Sequence, residues 1–347
     1  MSAQIVTALD RSKYIGGADI AAVCGFSPWR TPYQLWSDKV RPRVSDEPPR
    51  RNPKARGIRW EAVVAEMLVE QLQEDGHTVE IVASNLRYRD PELPFLASEI
   101  DFEIRLDGSD EITNVELKTV HPFKLKQDGW GESGSDQMPL HYTAQVMHGL
   151  GITRRSNGIL AALFGADELR AYPVTADAQS IAFLRGKAAS FWNDYVLTQV
   201  PPPPIDLGDL DRIYPSELPG GAPLLADDDL VAHLLRLRQI HKGIAALEAD
   251  AECVEFAIKR AMGTAGSLVL PTGKVAATWV EREGKSLDHE AVKAALGTKG
   301  YQAAHKPWKA RVFGLKPFAI DGLDPGLPRP DPAAAITTTD AKEVVTA

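Results

Sequence analysis

Residues 96–120 read Leu-Ala-Ser-Glu-Ile-Asp-Phe-Glu-Ile-Arg-Leu-Asp-Gly-Ser-Asp-Glu-Ile-Thr-Asn-Val-Glu-Leu-Lys-Thr-Val, and this stretch decides the fold. Up to Leu106, mostly apolar side chains alternate with mostly charged ones, which is the periodicity of a β-strand. Residues 107–110 include Gly108 and predict a turn. A second strand is predicted through residues 115–118. The stretch therefore predicts a β-hairpin.

The hairpin brings two carboxylates together. If it is symmetric about the Gly108–Ser109 bond, Asp101 lies directly opposite Glu116, with Cβ atoms about 5 Å apart. Carboxylates at that distance repel unless a positive charge lies between them. A divalent metal supplies that charge, and Lys118 lies on the same face as Glu116. The alternative is a solvated hairpin face, on which alternating Glu and Lys are common.

Composition gives broad limits. A chain of 347 residues can bury a large core, and we expect one large domain and a smaller one. The two cysteines, Cys24 and Cys253, provide neither a disulfide framework nor a four-cysteine metal site. No stretch has the ~20 apolar residues of a membrane span, and no secretory leader is recognisable, so we expect a reduced, cytosolic protein.

The net charge of −8 does not favour nucleic acid, but its distribution is uneven. Many acidic residues fall in 206–255, whereas basic residues crowd one segment, namely Arg41, Arg43, Arg50, Arg51, Lys54, Arg56 and Arg59. This segment could bind phosphates, or it could be a solvated loop over residues 40–56. The charge pattern permits a nucleic-acid partner without requiring one.

The N-terminal region predicts two short helices. The first covers residues 18–24 and ends before Gly25. The second begins with Thr31 as its N-cap and Pro32 at its first helical position. We expect Trp29 and Trp36 to pack in the core.

Two further helices carry candidate site residues. In the helix over residues 57–75, Glu61 borders the apolar stripe, where a carboxylate needs a partner. That partner could be a metal site, or simply Arg56 or Arg59. In the helix that begins at Pro139, the predicted buried stripe includes Leu140, Ala144, Met147 and Leu150. Gln145 lies on another face, and we expect His141 and His148 on a polar surface with no metal role.

Three groups of residues resemble known families. Asp101 followed by Glu116-x-Lys118 resembles the core of PD-(D/E)xK nucleases. Ile15-Gly-Gly-x-Asp-Ile-Ala and Gly25-x-Ser-Pro-Trp-x-Thr-Pro resemble the opening of the YqaJ-type viral recombinase family, relatives of phage lambda exonuclease. Arg56-Gly-x-x-x-Glu61 and Gln145 also match that family.

The resemblance implies an α/β (α+β) fold with a restriction-endonuclease-like core, a central mixed sheet flanked by helices. Strands at residues 157–164 and 169–174 and a helix over 177–197 complete a nuclease domain at 1–206. A linker at 207–225 precedes an accessory region at 226–318. There a seven-residue apolar repeat predicts a helical hairpin or coiled coil, and a small β-hairpin follows around residues 271–273.

Two C-terminal segments complete the expected layout. Within residues 306–316, basic Lys309 and Arg311 alternate with aromatic Trp308 and Phe313. This stretch could contact single-stranded nucleic acid or form a charged edge strand. Residues 319–347 have the composition of a disordered tail.

The resemblance also implies a catalytic set. Asp101, Glu116 and the Leu117 carbonyl are implied to bind Mg²⁺ or Mn²⁺, hard ions that prefer oxygen. Glu61 serves a second metal or its water. Lys118 stabilises the attacking hydroxide or the charge that develops on phosphorus, and Gln145 orients the nucleophile.

The implied function is a Mg²⁺-dependent 5′→3′ exonuclease on linear double-stranded DNA. It leaves 3′ single strands for a RecT-like or Redβ-like annealing protein, as a homotrimer of phage or prophage origin in the host cytoplasm. Arg11 matches a residue that holds the 5′-phosphate, with Arg51, Lys54 and Arg56 as further DNA contacts. Ala18 replaces a Ser found in many relatives at the next phosphate contact. The alternatives are an endonuclease on the same core, and a DNA-binding or scaffold protein with an idle site.

Overall fold

The computed structural model describes residues 3–7, 10–42, 53–126, 128–217, 220–284 and 286–305. The chain divides into two compact units, Met1–Ile213 and Tyr214–Ala347. The first unit extends past residue 206, where the sequence placed the end of the nuclease domain. Its last helix includes Asp209, which is fully buried and accepts a hydrogen bond from the Thr31 hydroxyl at 2.6 Å.

A six-stranded mixed sheet forms the centre of the first unit, with the strands in sequence order. The strands β4 and β5 are parallel, and every other neighbouring pair is antiparallel. The strands are β1 Gln4–Ile5, β2 Val79–Arg89, β3 Ala97–Leu106, β4 Thr113–Val120, β5 Asn157–Phe164 and β6 Glu168–Thr175. The predicted α/β fold with a central mixed sheet is confirmed.

The hairpin of β3 and β4 has the predicted register. Its ladder pairs Phe102 with Val115, and Ile104 with Thr113. Asp101 and Glu116 come next in the same register. The symmetric turn at Gly108, which has a φ of +68°, therefore aligns the two carboxylates as the sequence predicted.

Helices cover both faces of the sheet. They are α1 Gly17–Val23, α2 Pro32–Val40, α3 Pro53–Glu74, α4 Leu140–Thr153, α5 Ala178–Phe191 and α6 Leu207–Ile213. One hydrophobic cluster lies between α3 and the face that carries Val115 and Leu117. The other cluster includes residues of α1, α2, α4 and α5. Because side chains alternate along β4, Glu116 and Lys118 lie on the face opposite Leu117.

Four sequence predictions in this unit were wrong. Trp29 is 66 % exposed and Leu140 is 62 % exposed, although both were expected in the core. Trp29 lies in the loop before α2, and Leu140 lies in the first turn of α4. His148 is buried, not on a polar surface, and its Nε2 lies 3.0 Å from the Ala97 carbonyl oxygen. Helix α3 begins at Pro53, inside the predicted loop.

The second unit contains α7 Asp228–Met262, β7 Ser267–Val269, β8 Val275–Thr278 and α8 His289–Ala303. Of the two forms predicted for the apolar repeat, the helical hairpin is wrong, because α7 is one continuous helix of 35 residues, and the coiled coil stays a prediction. Gly243 does not interrupt it, since one glycine costs a helix only about 1 kcal/mol. The small β-hairpin is confirmed. The basic stretch at 306–316 and the tail at 319–347 lie outside the described residues.

Strand β2 was not predicted from the sequence; it pairs with β3 from Val79–Leu106 to Arg89–Ala97. This strand makes β3 internal and buries Glu103, which is 1 % exposed. The carboxylate forms a buried ion pair with Arg155 at 2.9 Å and accepts a hydrogen bond from the Tyr88 hydroxyl at 2.6 Å. Burial and the Glu103 contact raise the pKa of Tyr88 to about 12, so its hydroxyl stays protonated as a donor.

Replacing Arg155 with alanine leaves the Glu103 carboxylate buried without its cation. We expect Arg155→Ala to lower the free energy of unfolding by about 3–5 kcal/mol, measured by urea unfolding. Arg105→Ala is the matched control, because its partner Glu80 is 64 % exposed. That exposed pair contributes about 1 kcal/mol or less. Equal losses in the two variants would contradict the role given to the buried pair.

Candidate active site

A cavity of about 580 Å³ brings the predicted catalytic residues together. Its walls come from α1, α3, α4 and the strands β2–β4. The predicted residues that line it are Arg11, Glu61, Asp101, Glu116, Leu117, Lys118 and Gln145. These residues are distant in sequence, and the fold places them around one space.

The hairpin and α4 hold Glu116 from two sides. Lys118 Nζ and Gln145 Nε2 both donate to the same carboxylate oxygen, Oε1. Asp101 is held separately, since its Oδ2 accepts a hydrogen bond of 2.8 Å from the Leu117 backbone amide. The two carboxylates are thereby fixed on neighbouring strands.

The site concentrates negative charge. Burial, followed by the nearby Asp101 carboxylate, raises the pKa of Glu116 to about 7. Burial also raises the pKa of Asp101 and of Glu61. Although burial opposes it, the Glu116 and Asp101 carboxylates raise the pKa of Lys118, which stays a cation. One lysine therefore faces more carboxylates than it can neutralise.

This donor set suits a hard divalent cation. Asp101, Glu116 and the Leu117 carbonyl offer oxygen ligands, which Mg²⁺ prefers. Burial is the main cause of the raised carboxylate pKa values, and the mutual repulsion of Asp101 and Glu116 adds to that of Glu116; a cation between the two carboxylates would relieve this repulsion. Within the part of the chain that the structure describes, no three His, Cys, Asp or Glu side chains converge closely enough to hold a metal. The chemistry of the donors fits Mg²⁺, with two carboxylates and a carbonyl in place of an acidic triad.

Arg11 is linked through Tyr14 to another carboxylate that lines the same cavity, that of Glu99. Its Nε donates to the Tyr14 hydroxyl at 3.4 Å, and that hydroxyl donates to Glu99 at 3.2 Å. Arg87 Nε lies 3.5 Å from the same Glu99 carboxylate. The sequence analysis missed Arg87, which belongs to the unpredicted strand β2. Ala18 lines the cavity as well.

A buried ion pair that the sequence analysis missed fixes the segment carrying Arg11. Lys39 Nζ donates to Asp19 Oδ2 at 2.7 Å and to the carbonyl oxygens of Arg11 and Tyr14 at 2.6 Å and 2.5 Å. Although burial opposes it, Lys39 and Arg30 hold the pKa of Asp19 below its usual value. In the sequence, the Asp of the Ile-Gly-Gly-x-Asp motif was the residue that could have indicated this ion pair.

Asp19 also positions the glycines of that motif. Its Oδ2 accepts a hydrogen bond of 3.2 Å from the Gly16 amide. A Cβ at Gly17 would lie only 3.0 Å from Cγ of Gln145. The close approach of α1 to Gln145 therefore favours glycine at this position, because a larger residue would push the Gln145 side chain aside.

Three predicted DNA contacts cannot be placed at the cavity. Arg51 lies outside the described residues. Lys54 and Arg56 belong to the first turns of α3, whose side chains there are also outside the described part. Their predicted contacts with DNA stay predictions.

A match to a known family indicates the class of protein to which this fold and site belong. Residues 8–156 match the family of YqaJ-like viral recombinase domains. This segment is therefore similar to domains of that family, and the resemblance predicted from the sequence is confirmed. The match, together with the paired carboxylates and Lys118, supports a nuclease enzyme.

Among individual relatives, the chain is 24 % identical over 314 residues to the uncharacterized protein YqaJ of Bacillus subtilis, covering 89 % of this chain and 92 % of that protein. It is also similar to an alkaline exonuclease (LHK-Exo) from Laribacter hongkongensis, with 14 % identity and a TM-score of 0.40. That alignment covers 55 % of this chain and 90 % of the exonuclease. A SOX–DNA complex matches with 13 % identity and a TM-score of 0.32, over 53 % and 65 % of the two chains.

The raised pKa of Glu116 predicts a pH-dependent stability. A Glu carboxyl with a pKa of 4.5 in the unfolded chain and about 7 in the folded chain binds its proton more tightly when folded. Its contribution to stability is therefore complete below pH 4.5 and is lost as the pH rises through about 7. Asp101 acts in the same direction. Urea unfolding in EDTA should show this loss in the wild type and much less of it in Glu116→Gln.

Glu66→Gln is the control for this measurement, because it makes the same change at an exposed glutamate on α3. It should keep the pH dependence of the wild type. The same pH dependence in Glu116→Gln and the wild type would exclude Glu116 as the titrating group.

Proposed function

We propose that this chain is a divalent-metal-dependent deoxyribonuclease that degrades linear double-stranded DNA from the 5′ end. The observation that carries the proposal is the grouping of Asp101, Glu116, Lys118 and Gln145 around one cavity that Arg11 also lines. Hydrolysis of a phosphodiester needs a way to neutralise the phosphate and a positioned nucleophile. The cavity offers residues for both tasks.

Asp101, Glu116 and the Leu117 carbonyl would hold Mg²⁺, or Mn²⁺ in its place, and Glu61 would serve a second ion or its water. When bound, the metal polarises the scissile phosphate and lowers the pKa of water. These residues provide the oxygen ligands that such ions prefer. The pairing of β3 with β4 holds the two carboxylates next to each other.

Lys118 and Gln145 complete the chemistry. The Lys118 ammonium, kept charged by its two carboxylate neighbours, stabilises the attacking hydroxide and the negative charge that develops on phosphorus. Gln145 contacts Glu116 and presents an amide to the same space, where it orients the nucleophile. Gly17 allows α1 to approach Gln145 closely enough to limit its movement.

Arg11 would bind the terminal 5′-phosphate of the DNA. Its side chain lines the cavity, and the Asp19–Lys39 pair fixes its backbone. A guanidinium suits a terminal phosphate, which it can bind through two parallel hydrogen bonds. Capture of a phosphorylated end beside the cleavage site would give 5′→3′ polarity. Ala18 cannot supply the hydroxyl contact found in many relatives, so Arg11 would carry more of this recognition.

The family resemblance supports a proposal about the wider setting. A YqaJ-like viral recombinase domain suits a nuclease that leaves 3′ single strands for a RecT-like or Redβ-like annealing protein. We extend the proposal to a phage or prophage protein that acts in the host cytoplasm as a homotrimer. Arg51, Lys54 and Arg56 would add contacts to the DNA backbone. No helix within the described residues has the length and hydropathy to cross a bilayer.

Loss of the Lys118 cation should abolish most of the cleavage. We expect Lys118→Ala to digest linear duplex DNA about 10²–10³-fold more slowly with Mg²⁺, because one group that stabilises the transition state is lost. The wild type should leave closed-circular plasmid intact and should be inactive in EDTA.

Lys187→Ala is the control, since Lys187 is an exposed lysine on α5 and should not affect cleavage. Nicked or linearised circles would instead identify an endonuclease. Absence of cleavage with any divalent metal would contradict the enzyme and leave only a DNA-binding role.

Removal of Arg11 should weaken recognition of the DNA end. The wild type should digest 5′-phosphorylated duplex faster than duplex with a 5′-hydroxyl. We expect Arg11→Ala to reduce this preference about 10-fold or more, the effect of one lost charge-assisted hydrogen bond. Lys13→Ala is the matched control, because Lys13 lies in the same turn with its side chain 78 % exposed. An unchanged preference in Arg11→Ala would show that another group binds the phosphate.

A further inference from the structure

Helix α7 carries a continuous row of apolar side chains along one face, which we call the α7 seam. Numbered as a seven-residue repeat from a to g with Leu230 at position a, the helix has apolar residues at nearly every a and d position. Such a pattern, sustained over more than three or four repeats, is typical of a helix that packs along another helix. The a residues are Leu230, Leu237, Ile244, Ala251 and Ile258, and the d residues are His233, Ile240, Leu247, Val254 and Ala261.

Most of the α7 seam is open to solvent within the described part of the chain. Single exposed apolar residues are ordinary, but a row of them along a helix of about 50 Å is a large uncovered surface. The seam side chains that are between 40 % and 70 % exposed are Leu230, Ile240, Ile244, Leu247, Val254 and Ile258.

The helix itself is capped at both ends. Asp227 accepts a hydrogen bond of 2.9 Å from the Leu230 amide, and the Gly263 amide donates to the Lys259 carbonyl oxygen at 3.1 Å. Lys259 also pairs with Glu255 at 2.5 Å, one turn earlier on the helix. These contacts hold the last turns in the same helical register as the first, so the seam stays on one face along its length.

The α7 seam is complementary to itself when two copies of the helix run antiparallel. If Ile244 lies opposite Leu247 of the second copy, every a residue in that register lies opposite a d residue. A two-fold axis then passes between residues 245 and 246, and each helix offers the same surface to the other. The polar side chain of the seam, His233, falls at the end of the contact, opposite Ile258 of the second copy.

The charges beside the seam favour this antiparallel orientation. Side chains at positions e and g flank a coiled-coil seam and set its orientation. In the antiparallel register, Arg236 reaches towards Asp250 of the second copy, and His241 lies beside Glu248 of the second copy. In a parallel pair, Asp250 would face Glu255 of the second copy, and these like charges would repel.

The two ends of α7 are also complementary in charge. The first turn carries Asp228 and Asp229, whereas the last turn carries Lys259 and Arg260. An antiparallel pair brings the acidic end of each helix beside the basic end of the other and opposes the two helix dipoles. A parallel pair would bring the two acidic ends together.

We propose that α7 pairs with α7 of a second copy of this chain as an antiparallel coiled coil through the α7 seam. The proposal goes beyond the proposed nuclease function and does not depend on it. Burial of apolar side chains along the seam drives the association, and the flanking charges select the orientation. The pairing would join two nuclease domains in one assembly through contacts made outside either active site.

The first test is the mass of the full-length protein by sedimentation equilibrium. We expect Leu247→Lys to have half the mass of the wild type at the same micromolar concentration, because the pair would bury two lysines beside its axis. Phe256→Lys is the matched control and should keep the mass of the wild type. Leu247 is 70 % exposed and Phe256 is 67 % exposed, but Phe256 lies at position f, away from the seam. Far-ultraviolet circular dichroism, expected to be the same in all three proteins, controls for loss of helix.

The second test uses disulfides to read the orientation in full-length protein that carries Cys253→Ser. Leu237 should lie opposite Val254 of the second copy, so the double variant Leu237→Cys/Val254→Cys should form a covalent dimer on a non-reducing gel. Neither single variant should do so. In the antiparallel pair, the two copies of either residue lie about 25 Å apart along the axis, far beyond the ~7 Å limit for a disulfide.

Two outcomes would overturn the proposal. Covalent dimers of the single variants Leu237→Cys and Val254→Cys would show that the helices run parallel. Equal masses for the wild type, Leu247→Lys and Phe256→Lys, with no cross-link in the double variant, would show that the seam does not bind a second copy. Neither outcome bears on whether the chain cleaves DNA, so the nuclease proposal is tested separately.

Discussion

The pairing of β3 with β4 is the constraint on which the site depends. Its ladder ends at Phe102 and Val115, and there the Asp101 carboxylate takes over by accepting the Leu117 amide at 2.8 Å. A side chain thus replaces a backbone partner at the point where the strands border the cavity. This hydrogen bond satisfies a backbone donor and fixes the carboxylate that we propose to be catalytic, with one interaction. A shift of register by one residue would move Asp101 to the other face of the sheet and separate it from Glu116.

A second constraint acts independently of the sheet. The buried Asp19–Lys39 pair ties the segment before α1 to α2, and Lys39 holds the carbonyl oxygens of Arg11 and Tyr14. A buried ion pair contributes little net stability, because the desolvation of both charges offsets their attraction. Here the pair instead fixes the position of the backbone at Arg11 and Tyr14. It holds the backbone of Arg11 at the cavity to which the sheet contributes carboxylates. The proposed binding of a DNA end and the proposed cleavage would therefore depend on different parts of the fold.

Local sequence patterns were enough to predict the hairpin and the acids on it, because turn chemistry and alternation act over a few residues. They were not enough for β2, in which a bulge after Ile81 and a left-handed residue at Asn85 (φ +53°) break the alternation. The Asp19–Lys39 pair joins residues 20 apart, and no local period reveals such a contact. The long apolar repeat of α7 fits one helix as well as two, and Gly243 was too weak a signal to decide between them.

The two wrong predictions of burial, for Trp29 and Leu140, have a different origin. Trp29 and Leu140 were assigned to the core because they are large and apolar, and both instead line a second cavity, of about 630 Å³, beside the candidate active site. Hydrophobicity predicts burial against something, but it does not say whether that partner belongs to the same chain. Departures from local sequence rules concentrate at functional sites in natural proteins. The exposed rings and aliphatic side chains next to the paired carboxylates are therefore an apolar surface that the described part of the chain leaves uncovered beside its candidate site.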